Sequence, residues 1–161
     1  MYLSLTKLFV YIVIFLGFLS NFNVYALSKN KLYSETSISN YFSGLISSNN
    51  NNNELALNYL NNLRYLHNDH DQFNYEIIFA LIQTGKISEA FSYLEKVDEK
   101  NIDFFEANLL LGINHFLKQN YKKSINYFNL IRQNSKFSNL EQLVAHTLSE
   151  HIKILENKSY D

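Results

Sequence analysis

The sequence of 161 residues contains no cysteine, no proline and no tryptophan, and only four glycines. Without cysteine, the chain cannot form disulfides, thiolate metal sites, a cysteine nucleophile or a lipid anchor on an N-terminal cysteine. It carries 14 basic and 15 acidic side chains, for a net charge of −1. Nucleic-acid binding through phosphate contacts needs a clustered positive surface. The charge balance therefore argues against nucleic acid as a partner.

Apolar and aromatic residues are plentiful, at 47% and 16% of the chain. This is ample for the core of one folded domain. Asparagine is abundant too, together with Ile, Lys, Tyr and Phe, a composition typical of AT-rich coding sequence. This interpretation gives many of the asparagines no structural role.

The first 26 residues predict a secretory signal peptide. Lys7 supplies the positive region, 8–19 (LFVYIVIFLGFL) the apolar run, and Val24 and Ala26 the small residues before a cleavage site. The run is shorter than the roughly 20 residues of a membrane span. We expect cleavage after Ala26, no membrane association afterwards, and a periplasmic location if the cell is a diderm bacterium. The alternative is an uncleaved N-terminal membrane anchor. Residues 27–36 form a polar lead-in.

The segment 105–131 predicts two amphipathic helices joined by a turn at Asn120 and Tyr121, because its apolar residues recur every three or four positions. Gly112 lies inside the first helix, where it costs about 1 kcal/mol relative to alanine. A close approach of the two helices explains this glycine, and Ser124 is the matching small residue on the second helix.

The same pattern recurs 34 and 68 residues earlier without a gap. Six columns carry the register: Gly44, Ile78 and Gly112; Ala56, Ala90 and Ser124; Leu60, Leu94 and Phe128; Leu63, Val97 and Ile131; Tyr59, Tyr93 and Tyr127; Asn40, Asn74 and Asn108. Thirty-four residues is the period of the tetratricopeptide repeat, a helix–turn–helix unit. The segment 37–138 resembles three such repeats, 37–70, 71–104 and 105–138. It departs from the family in having Asn for the usual tryptophan and no proline after the second helix.

The resemblance implies an all-α fold, a right-handed α-solenoid of antiparallel helix pairs, closed by a capping helix within 139–161. In detail, we expect helices over 38–46 and 54–67 with a polar turn at 47–53, and helices over 73–81 and 87–97. Gly85 is expected to end a helix in a left-handed conformation. Capping boxes are predicted at Asp103 with Glu106 and at Ser138 with Glu141.

Tetratricopeptide proteins are non-catalytic scaffolds or adaptors that bind a protein or peptide along a concave groove. Positions carried over from the family predict an apolar groove, suited to an amphipathic helix or an extended apolar segment. The lysines and asparagines of the chaperone-tail clamp are missing from the corresponding positions. Alternatively, the lead-in, the last helix or a second copy covers part of this surface. The groove residues are Tyr41, Leu45, Gln72, Tyr75, Phe79, Ile82, Leu109, Ile113 and Phe116.

Two further hypotheses remain at the level of sequence. One is self-association, with an edge repeat of one copy stacking on another to give a homo-oligomer. The other is a metal site at His67 and His70, which lie beside Asp69 and Asp71. A solvated loop is the simpler interpretation of that cluster, so we expect no metal and no other cofactor. No pattern of catalytic residues is recognisable, and we expect the protein not to be an enzyme.

Overall fold

The structure, a computed structural model, describes residues 34–158, and there it is all-helical, without a β-strand. Two short 3-10 helices, Arg64–Leu66 and Glu99–Asn101, lie between α-helices. The predicted all-α class is confirmed. The α-helices of this part are α1 (Glu35–Asn49), α2 (Asn53–Asn61), α3 (Asp71–Gln83), α4 (Ile87–Leu94), α5 (Phe105–Leu117), α6 (Tyr121–Gln133) and α7 (Asn139–Lys158).

The contacts of the chain define two units, Met1–Ile38 and Ser39–Asp161, and all helices but the first turn of α1 belong to the second. Within it, consecutive helices from α2 to α7 pack against each other. In addition, α3 contacts α5 and α5 contacts α7. The helix starts follow the predicted period, because α2, α4 and α6 begin 34 residues apart, and so do α3, α5 and α7.

The three turns that join α1 to α2, α3 to α4 and α5 to α6 have the same backbone. Asn51, Gly85 and Gln119 all have positive φ, at 58°, 72° and 57°. In each turn the next N–H donates over 2.8 Å to the carbonyl five residues earlier. This is the Schellman motif, which usually places glycine at the left-handed position. The prediction for Gly85 is confirmed, while asparagine and glutamine take the same conformation in the other two turns.

Close helix contact explains the glycines at position 44 and position 112. A Cβ atom on Gly112 would lie 2.5 Å from Cε1 of Phe128, and one on Gly44 would lie 2.8 Å from Cδ2 of Leu60. Ser124 donates its hydroxyl hydrogen to the Gly112 carbonyl over 2.7 Å. The predicted close approach is confirmed, and the aromatic ring as well as the serine requires it.

The buried apolar side chains form two clusters. The first cluster runs from α2 to α5 and contains Phe73, Ile77 and Leu94 among its members. The second cluster joins α6 to α7 through Phe128, Ile131, Phe137, Ala145 and Ile152.

The predicted helix lengths were wrong in the first two repeats. Helix α1 continues to Asn49, because Ser47 and Ser48 are buried there rather than forming a polar turn. Helix α2 ends at Asn61, and a 3-10 turn then buries Leu63 and Leu66 in the first cluster. A spacing of three suits an α-helix and a 3-10 helix alike, so the apolar pattern could not place this boundary. Helix α4 likewise ends at Leu94 instead of position 97.

One of the two predicted capping boxes is present. At the start of α7, the Ser138 N–H donates to Glu141 Oε2 over 2.6 Å, and the Glu141 N–H donates to Ser138 Oγ over 3.3 Å. The box predicted at Asp103 is absent, since the N-cap of α5 is Phe104 and has no side-chain cap. The Asp103 carboxylate pairs with Lys136 instead.

Several asparagines have structural roles, contrary to the compositional interpretation. Asn74 is fully buried, and its Nδ2 donates to the carbonyls of His67 (2.8 Å) and Asn101 (3.1 Å). The Tyr93 hydroxyl donates to Asn74 Oδ1 over 2.5 Å. Asn101 in turn donates to the Asn68 carbonyl over 2.8 Å. These side chains tie the two loops between helix pairs to α3.

The predicted signal peptide, its alternative as an anchor, and most of the lead-in lie outside the described residues. Among the helices that the structure describes, none combines the length and apolar character needed to cross a membrane.

Candidate partner-binding surface

Three aromatic rings meet on one side of α3 and at the start of α5. Tyr75 and Phe79, one helical turn apart, stack with ring centroids 6.2 Å apart and 17° between their planes. The ring of Phe104 stands edge-on to Tyr75 at 5.6 Å. All three are half-buried. We call Tyr75, Phe79 and Phe104 the aromatic surface.

Four of the predicted groove residues, Leu45, Gln72, Tyr75 and Phe79, lie outside both core clusters of the described chain. Gln72 is exposed and Leu45 is half-buried. Only the two aromatic residues among them contact each other as rings.

The other five predicted residues are used in packing. Tyr41 and Ile82 pack against the first cluster. Leu109, Ile113 and Phe116 pack against the second cluster, to which α7 contributes. The sequence therefore identified a half-buried face of each first helix, but the structure leaves little of that face on α5 available to a partner.

Two carboxylates give the aromatic surface a negative character. Burial raises the pKa of Tyr75 above its ordinary value, and the nearby charges of Glu106 and Glu76 raise this pKa further. Burial and then Glu76 raise the pKa of Tyr41 in the same way. Gln72 donates its side-chain amide hydrogen to Glu76 over 2.7 Å, which holds that carboxylate on the surface of α3.

Sequence reasoning missed Phe104 and Glu76. Phe104 is the last residue of the second 34-residue unit, outside the positions that the family assigns to a groove. Its extended backbone, with φ of −138° and ψ of 162°, brings the ring back to α3. A signal for Glu76 was present, since it lies four residues after Gln72 and so shares its helix face.

The His67 and His70 cluster is arranged around the backbone. His67 Nδ1 lies 2.8 Å from the Arg64 carbonyl, and His70 Nδ1 accepts from the Phe73 N–H at the start of α3 over 3.1 Å. The His70 ring also contacts Tyr41, with centroids 5.2 Å apart. In the described part of the chain, no three His, Asp or Glu side chains converge as metal ligands would.

Comparison of the chain with protein-family models and with curated proteins gave no match. Its function has to be inferred from its own residues.

Proposed function

We propose that the protein is a non-catalytic scaffold or adaptor of the tetratricopeptide type that binds a segment of another protein at the aromatic surface. The stacked pair Tyr75 and Phe79 carries this proposal, because two large rings lie half-exposed outside the core. The shared turn geometry and the 34-residue spacing of helix starts support a right-handed solenoid of repeats. Its proposed location is the cell envelope, periplasmic in a diderm cell.

The chemistry of the surface specifies the partner segment. Aromatic side chains are the residues that most often dominate the energy of protein interfaces. The carboxylates of Glu76 and Glu106 lie close to the rings. A segment that places aliphatic side chains on the rings and a Lys or Arg beside the carboxylates is therefore the best match, since a cation is also attracted to the face of a tyrosine ring.

The test is co-purification from an envelope extract with the full chain tagged at its C-terminus. The variant Tyr75→Ala with Phe79→Ala removes both rings, and Leu55→Ala with Ile87→Ala is the control, removing two exposed apolar side chains from α2 and α4. Circular dichroism checks that both remain folded. We expect one protein to be retained by the parent and the control and lost with the ring variant. Equal retention by all three chains would exclude the aromatic surface as the binding site.

Self-association is the second candidate, favoured by exposed apolar side chains at both ends of the helical array. On α7, Leu140, Leu143 and Ile154 are 70%, 58% and 53% exposed, and on α1, Phe42 and Ile46 are 57% and 60% exposed. Stacking of these faces between copies would cover them. Light scattering on the full chain and on Leu143→Glu with Ile154→Glu separates the candidates. A monomer at every concentration of the parent chain would rule out self-association.

A further inference from the structure

A cavity of about 870 Å³ lies between residues 99–103 and α6. Asn108 of α5 and Tyr127 of α6 contribute to its walls, together with Lys100 and Lys123. None of these residues belongs to the aromatic surface.

The equivalent pair one repeat earlier, Asn74 and Tyr93, is closed. Tyr93 is 4% exposed and its hydroxyl donates to Asn74 Oδ1 over 2.5 Å. The backbone that follows α4 then turns over this pair, and the Asn101 carbonyl accepts from Asn74 Nδ2 over 3.1 Å. A segment of the protein's own chain, 98–101, therefore occupies this position in the second repeat.

In the third repeat the same pair is open. Asn108 is only 3% exposed, and its Nδ2 donates to the Phe104 carbonyl of its own helix over 3.0 Å. Among the described residues, no donor reaches Asn108 Oδ1 and the Tyr127 hydroxyl has no hydrogen-bond partner. The Tyr127 ring stacks on His115 instead, with centroids 5.4 Å apart. A buried amide oxygen without a donor is unusual in a folded protein, because leaving it unpaired costs free energy.

The cause of the opening is the length of α6. Helix α4 ends at Leu94 and the chain turns back across Asn74, whereas α6 continues to Gln133. No segment then crosses Asn108, and the last turns of α6 form a wall of the cavity. Burial, followed by the charge of Glu99, raises the pKa of Tyr127, so its hydroxyl keeps its hydrogen and can donate.

The charged groups of the cavity favour an acidic ligand. Lys100 and Lys123 form no ion pair with a carboxylate among the described residues, whereas Asp103 is neutralised by Lys136. Glu99 is the remaining charge of the wall. The balance of the uncompensated groups is therefore positive.

We propose that this cavity binds an acidic, asparagine-containing peptide segment of a partner protein, whose main chain donates to Asn108 Oδ1 and accepts from the Tyr127 hydroxyl. The segment takes the place that 98–101, with the sequence DEKN, takes over Asn74 in the second repeat. The site does not depend on the proposed function, since it shares no residue with the aromatic surface.

The probe is the capped peptide VDEKNID, which copies residues 97–103, titrated into the isotope-labelled full chain and followed by NMR. We expect saturable shifts of the backbone amides around Asn108 and Tyr127. Tyr127→Phe should weaken binding about 3- to 10-fold, the range for loss of one hydrogen bond. Tyr59→Phe, the same column in the first repeat, is the matched control and should leave binding unchanged. Asn108→Leu, where it folds, should weaken binding at least as much as Tyr127→Phe.

Tyr75→Ala with Phe79→Ala should bind the peptide like the parent, so loss of the adaptor function and loss of this site are distinguishable. Maltotriose is titrated in parallel as a polyhydroxylated probe. Saturable shifts at Asn108 with the sugar and none with the peptide would assign the cavity to a carbohydrate instead. No shifts with the peptide at millimolar concentration, or equal affinity in Tyr127→Phe, would overturn the proposal.

Discussion

At the scale of single residues, Gly112 sets how closely α5 and α6 approach. A methyl group there would lie 2.5 Å from the Phe128 ring. We predict that Gly112→Ala lowers the free energy of unfolding by about 1–2 kcal/mol, because overpacking outweighs the gain in helix propensity. Urea unfolding measures this change.

The control for this prediction is the double variant Gly112→Ala with Phe128→Leu, since leucine occupies the column of Phe128 in both other repeats. The smaller side chain should restore part of the loss, so that the two substitutions are not additive. Additive losses would show that the ring does not determine the requirement for glycine.

His115 gives the protein a pH-dependent stability. Burial lowers the pKa of His115, and Lys123 and Lys118 lower it further, partly opposed by Glu95. The unfolded chain, with a pKa near 6.5 at this residue, takes up the proton at a higher pH than the folded chain. The contribution of His115 to stability is therefore complete above that value and is lost as the pH falls through it towards the folded pKa.

We predict that His115→Leu, which copies Leu81 of the preceding repeat, flattens the dependence of the unfolding free energy on pH between about 7.5 and 5.5. Urea unfolding at a series of pH values measures the slope. His151→Leu removes an exposed histidine from α7 and should keep the slope of the parent. A slope that persists in His115→Leu would contradict the assignment.

At the scale of elements, the three turns differ in the residue that takes the left-handed conformation. Gly85 takes it without strain, whereas Gln119 has a Cβ atom that disfavours a φ of 57°. We predict that Gln119→Gly raises the unfolding free energy by about 0.5–1 kcal/mol. Thermal unfolding measures it, with Gln83→Gly at the end of α3 as the control that should lower stability. A loss in both variants would mean that the turn conformation costs nothing at Gln119.

At the scale of the whole molecule, anchoring is uneven along the array. The buried residues of α1 are Gly44, Ser47 and Ser48, all small, whereas α3 buries Phe73 and Ile77. We predict that amides of α1 exchange at least about tenfold faster than those of α3, because local opening follows the amount of buried apolar contact. Native-state hydrogen exchange measures this, and equal protection of both helices would show that α1 opens only with the whole unit.

The sequence predicted most of the architecture of the described part and only part of the candidate surface. Apolar spacing and a 34-residue period are short-range signals, and they located α5, α6 and the start of each later helix correctly. The surface needed more, since Ile113 and Tyr75 occupy comparable positions in their helices. One packs against the second cluster and the other forms a ring pair outside it.

By itself, the sequence determined the helical class, the period and the close approach at Gly112, because each depends on residues within one repeat. Only the tertiary structure decided where α2 and α4 end, which groove residues remain available, and that Asn74 is covered while Asn108 is not. Those outcomes depend on chain segments from neighbouring repeats. Whether such a segment crosses a given side chain is a property of the packed array and has no local signal in the sequence.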